Sequence, residues 1–149
     1  MKVRLFEPNF DEKLASYDNI QYGGNLKPDE IPLRLDRGFG LIWDGSSVEG
    51  CLGEAGQYLR YNNPHKLSLC LSSGIPVVIW SGAEEAGFVE KNGLGLTVSS
   101  LKELPEIMEK LTEEDYNEFI RNICPVRERL INGYYGRTAI QIAIELVRR

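Results

Sequence analysis

Histidine is almost absent from this chain: His65 stands alone among 149 residues. That removes His-Glu-x-x-His, most zinc sites, and a Ser–His–Asp triad assembled from separated segments. No Gly-Lys-Ser/Thr occurs, so there is no P-loop. Gly38-Phe39-Gly40 and Gly93-Leu94-Gly95 open like a dinucleotide fingerprint, but Trp43 and Val98 stand where the last glycine belongs. No Asp-x-Asp pair is present to hold a metal against a diphosphate, so fixed amides and lysine would have to neutralise one. Cys51, Cys70 and Cys124 share no Cys-x-x-Cys spacing and are odd in number, which reads as reduced cytosolic thiols. No apolar run reaches the ~18 residues of a membrane span. The segment Met1-Lys2-Val3-Arg4-Leu5 lacks a signal peptide's apolar core. A net charge of −5 and a pI near 5.0 argue against nucleic acid or an anionic membrane as the main partner.

What is present reads as one globular domain over residues 1–149, with 42% hydrophobic and 26% charged residues and no repeat or low-complexity tract. Its centre is the stretch from Tyr61 to Trp80. Asn63 suits an N-cap and Pro64 the first helical position. Leu67, Leu71 and Ile75 recur at spacing four, Gly74 stops the helix, and Pro76 lies beyond the stop. Val77-Val78-Ile79-Trp80 is a continuously apolar run, as in a strand buried on both faces. His65 and Lys66 place cations in the first helical turn, where the dipole already makes the end positive. An anion bound there would draw amides, dipole and Lys66 together. An ordinary solvated lysine fits the same pattern.

Around this stretch, strands are expected at Val3–Phe6, Asn19–Tyr22, Phe39–Trp43 and Leu94–Val98. Asp11–Tyr17 suits one or two helical turns. Pro28-Asp29-Glu30 opens a helix that Pro32 keeps short. Asp44–Tyr61 is a long glycine-bearing connection, either functional or a surface insertion. Ser81–Asn92 reads as a helix capped by Ser81 and closed by Gly93. Leu101, Leu104, Ile107, Met108 and Leu111 form a helical face. Thr112-Glu113-Glu114-Asp115 is a capping-box start for a helix that Pro125 interrupts after about Ile123, with a further piece over Val126–Ile131. The last helix, Gly136–Arg149, has polar residues at Thr138, Gln141, Glu145 and Arg148, besides Arg137 and Arg149 at its ends, and is otherwise widely apolar through Ala139, Ile140, Ile142, Ala143, Ile144, Leu146 and Val147. That width suits either a deeply buried helix or contact with a second domain or subunit. Strands alternating with helices argue for an α/β domain with a parallel sheet, whose ligands bind at the carboxyl ends of the strands. Gly23-Gly24, Asp44-Gly45, Ser81-Gly82-Ala83 and the helix start at Asn63–Lys66 all belong at that edge.

Three runs carry a family resemblance: Gly38-Phe39-Gly40-Leu41-Ile42-Trp43-Asp44-Gly45, Tyr58-Leu59-Arg60-Tyr61-Asn62-Asn63-Pro64-His65-Lys66-Leu67-Ser68, and Gly74-Ile75-Pro76-Val77-Val78. From about Asn19 to Leu101 the chain resembles the carboxyl-terminal, donor-binding domain of bacterial GT-B glycosyltransferases. It is similar to adhesin-glycosylating glucosyltransferases and β-1,6-galactofuranosyltransferases. The resemblance implies a Rossmann-like parallel sheet with flanking helices, one half of a GT-B fold, and a helical carboxyl terminus. It implies a UDP-sugar donor held without a metal or other cofactor, and a hexose passed to a glycan or glycoprotein acceptor through an amino-terminal domain that is absent here. By position Lys66 would meet the diphosphate, helped by Asn63 and the first-turn amides, with Asn62 and His65 in the same run. Tyr22, Asp44 and Tyr61 would neighbour nucleotide or sugar. Leu69 stands where many relatives place a ribose-binding glutamate, and no catalytic base is identified.

The resemblance further implies a missing first strand, central in a sheet of order 3-2-1-4-5-6. Either Val3–Phe6 takes that place, another chain fills it, or the domain self-associates there. The expectation is therefore a homo-oligomer or a partner chain, inactive in transfer by itself, in the cytoplasm or at the inner face of the membrane. A non-catalytic nucleotide-binding module and a structural subunit are the alternatives.

Overall fold

The computed structural model describes residues 2–27 and 29–148, in two compact units, Met1–Asp36 and Arg37–Arg149. In the first, β1 (Val3–Leu5) pairs with β2 (Ile20–Tyr22) in parallel, Val3 opposite Ile20. Parallel partners need a crossover. Here it carries a 3₁₀ turn, Glu12–Ser16, started by the Asp11 carboxylate, which accepts a hydrogen bond from the Lys13 amide at 3.0 Å. Of the helix expected after Pro28 only a 3₁₀ turn forms, Ile31–Leu33, with Pro32 inside it; Pro28 itself lies outside the described residues. Among the described residues β1 pairs with β2 alone, in a two-stranded sheet separate from the other strands, so it is not the centre of one continuous sheet.

The second unit is built on three parallel strands in chain order, β3 (Gly40–Ile42), β4 (Val77–Trp80) and β5 (Gly95–Val98). Every residue of β4 is buried, as its unbroken apolar run requires of a central parallel strand. The connection from β3 to β4 carries α1 (Gly53–Tyr58) and α2 (His65–Ser72), so the expected long loop contains a helix of its own. Helices α3 (Ala86–Asn92), α4 (Leu104–Lys110), α5 (Glu113–Ile131) and α6 (Tyr134–Val147) follow. Side chains alternate across the sheet. A Cβ on Gly40 would lie 2.2 Å from the Cys70 sulfur, which places α2 against one face. On the other face Val78 and Val98 pack with Leu104 of α4, supported by Phe39, Trp43, Leu96 and Met108. The architecture is thus α/β and Rossmann-like, with parallel strands, flanking helices and a helical end.

Four local expectations are corrected. Pro64, not Asn63, holds the N-cap position of α2. Its extended backbone (φ −73°, ψ 133°) starts the helix at His65, and its carbonyl accepts from the Leu67 amide at 3.0 Å. Ser81 does not cap α3. Its amide donates to Val98 O at 2.8 Å and so prolongs the sheet, delaying the helix to Ala86. Pro125 does not interrupt α5, which runs unbroken with Ile123 and Val126 buried on either side of it. Tertiary bonds hold that helix in place: Asn122 donates to Gly93 O at 3.2 Å and Arg127 to Ser72 O at 2.9 Å, covering the carboxyl ends of α3 and α2. Finally, α6 is not a buried helix: none of its residues is buried, and Ile140, Leu146 and Val147 are 62, 64 and 87% exposed.

Candidate functional site

Two adjacent strands deliver the site. β3 ends at Ile42, opposite Ile79, and the chain leaves it through Trp43 and Asp44. The first turn of α2 comes back to this edge with no side-chain cap. There Lys66 Nζ donates to Asp44 Oδ1 at 2.7 Å and to Trp43 O at 3.3 Å. The pair is half in solvent, with side chains 47% and 38% exposed, so it is a solvent-screened contact rather than a buried bridge. Lys66 is thereby brought to the strand edge, as the sequence reading expects, and the structure adds that Asp44 is its partner.

Beneath this edge lie two thiols. Cys51 is fully buried and Cys70 nearly so. Burial pushes the Cys51 thiol up; burial likewise raises Cys70, to about 11, so both are poor nucleophiles at neutral pH. All three cysteines are free, and Cys124 is exposed on α5.

The remaining candidates separate. Tyr61 is 82% exposed, and His65 and Asn63 are exposed as well. Asn62 is half-buried. Asn63 lines a cavity of about 320 Å³ whose walls include Leu67, Glu85, Phe88 and Tyr135, while Lys66 is not among them. Burial, then the neighbouring Glu84, raises the Glu85 carboxyl above its ordinary range. Tyr22 belongs to the first unit, where its hydroxyl donates to Glu7 O at 3.0 Å and its ring stacks on Phe10. Among the described residues no group of three or more His, Cys, Asp or Glu side chains is clustered to hold a metal ion.

Spacing along the chain does not point to a further feature of this edge. The Arg60 guanidinium lies 4.8 Å from the ring centroid of Trp80, the last residue of β4. Arg60 sits in the Tyr58–Lys66 run, but only the fold brings it to a residue twenty positions on.

A family profile described as glucosyltransferase 3-like, C-terminal domain, matches residues 1–143. The chain belongs to that family. The chain is 40% identical over 144 residues to the beta-1,6-galactofuranosyltransferase WbbI of Escherichia coli (strain K12), covering 95% of this chain and 42% of that protein. It is 30% identical over 143 residues to glucosyltransferase 3 of Streptococcus gordonii, with 95% and 41% covered. To glucosyltransferase 3 of Streptococcus parasanguinis it is 28% identical over 142 residues, with 91% and 41% covered. The chain thus spans about two-fifths of the length of these relatives. Its class is that of a glycosyltransferase carboxyl-terminal domain. No helix among the described residues is long and apolar enough to cross a membrane.

Proposed function

We propose that this chain is the donor-binding domain of a metal-independent GT-B hexosyltransferase that holds a UDP-sugar, with glucose or galactofuranose as the hexose, for transfer to a glycan or glycoprotein acceptor. The observation that carries the reading is Lys66, set by the uncapped first turn of α2 at the carboxyl edge of β3. An anion there would meet a side-chain cation and the positive pole of a helix together. As a diphosphate departs, such a fixed charge stabilises the developing negative charge without reorganisation. Asp44, which now neutralises Lys66, would be displaced toward the sugar or share the lysine with the phosphates. The working location is the cytoplasm or the inner face of the membrane.

UDP is expected to stabilise the chain by about 2.7 kcal/mol at a hundred times its dissociation constant, by ligand linkage. Thermal unfolding with UDP, UDP-glucose and UDP-galactofuranose, with and without magnesium, checks this. An unchanged melting temperature at millimolar ligand removes the reading, and a shift that needs magnesium removes its metal-independent part.

A second reading, a docking subunit, is favoured by α6, whose apolar residues stand in solvent along fourteen positions. An amphipathic helix of that length is marginal in water unless it packs. UDP binding separates the two: the first reading expects these residues to bind donor yet transfer no sugar by themselves, the second expects no UDP binding, and the exposed apolar face of α6 leads both to an oligomer at micromolar concentration. A monomer in the ultracentrifuge contradicts self-association. Turnover by the purified chain would place acceptor site and base within these residues.

A further inference from the structure

We infer that Arg60 is a second donor-binding side chain, contacting the phosphates of the nucleotide sugar beside Lys66; the inference rests on the nucleotide-sugar reading above. The argument begins with charge. A nucleoside diphosphate sugar carries two negative charges on its phosphates. With no clustered metal ligands among the described residues, cationic side chains at the strand edge must balance them in this reading. Lys66 is paired with Asp44, and Lys102, on the turn after β5, is paired with Glu49. Arg60 differs. Its partners among the described residues are the Gln57 amide oxygen, to which Nε donates at 2.7 Å, and the Trp80 ring, both neutral.

The guanidinium is also held in place. Gln57 is itself fixed, since its amide nitrogen donates to Cys51 O at 3.0 Å. Leu59 is fully buried, and its carbonyl accepts from the Glu84 amide at 2.9 Å. The segment bearing Arg60 is therefore tied to the loop that leaves β4, at the strand edge next to the one where Lys66 sits. With Nε donating to Gln57 and the guanidinium carbon over the indole ring, neither terminal nitrogen of Arg60 has a hydrogen-bond partner among the described residues. Two parallel N–H groups in that plane fit two oxygens of a phosphate, a geometry that lysine cannot reproduce. The cation–π contact with Trp80 and the bond to Gln57 hold the guanidinium at this edge and lower the entropy lost on binding.

The test is calorimetric binding of UDP and uridine to the wild-type chain, R60Q and R60K. R60Q is expected to bind UDP ~10-fold or more weakly, the range for a charge-assisted hydrogen bond, with uridine affinity unchanged. R60K, which keeps the charge but loses the fork, is expected to fall between R60Q and wild type. If R60Q does not fold, R60K decides alone, and wild-type UDP affinity in R60K overturns the inference. Unchanged UDP affinity in R60Q, or an equal loss for uridine, overturns it as well. No UDP binding by the wild-type chain is a different outcome: it overturns the nucleotide-sugar reading itself.

Discussion

A Gly95→Ala chain is expected to lose more than ~3 kcal/mol of stability, the sum of a strained backbone and a steric overlap that cannot relax. Gly95 opens β5 with φ +152°, a conformation L side chains rarely adopt. A Cβ there would lie 2.0 Å from Val77 O and 2.6 Å from Val77 N. Both atoms are backbone of the central strand, paired with Gly95 in register. No rotamer change can relieve the contact, so the β4–β5 ladder must open instead. For a domain near 150 residues this corresponds to a fall of about 6–12 °C or more in Tm. Gly87→Ala is the matched control. Gly87 is the second residue of α3 with nothing within 4 Å of its added Cβ, so alanine should raise stability by at most about 0.5–1 kcal/mol. Thermal or urea unfolding of the two variants checks the pair, and a Gly95→Ala chain melting within a degree of wild type would mean the sheet tolerates what its geometry forbids.

Lys66→Ala is expected to weaken UDP binding by ~1.5–3 kcal/mol, the range for a hydrogen bond to a charged group. Without ligand, stability should change by no more than about 1 kcal/mol. The Lys66–Asp44 pair is half-exposed and of the kind that contributes little. Its loss is also offset, since a cation leaves the positive end of a dipole. Asp44 is left alone but solvated, which avoids the heavy cost of a buried orphan charge. Titration of UDP into the variant, set beside its unfolding curve, separates two roles. Weak binding with normal stability assigns Lys66 to the ligand; several kcal/mol lost from the ligand-free chain would make it a structural latch between α2 and β3.

The parts of this protein determined by its sequence alone are those governed by neighbours along the chain. Thr112 and Asp115 form their reciprocal cap because the partners are three residues apart. Gly74 and Gly93 stop helices in left-handed conformations that only local backbone sterics select. The run Val77–Trp80 had to be an interior parallel strand because no residue in it tolerates water on either face. The tertiary structure decided what depends on distant partners. Pro125 stays within a helix because α5 is anchored to α2 and α3 by side chains that no local rule links to it. The charge on Lys66 is shared with Asp44, twenty-two residues earlier, and Arg60 finds Trp80 because parallel strands bring the ends of separate segments to one edge. Charge pairing and ring stacking act through space, and the spacing of residues along a chain does not encode which of them the closed sheet will bring together.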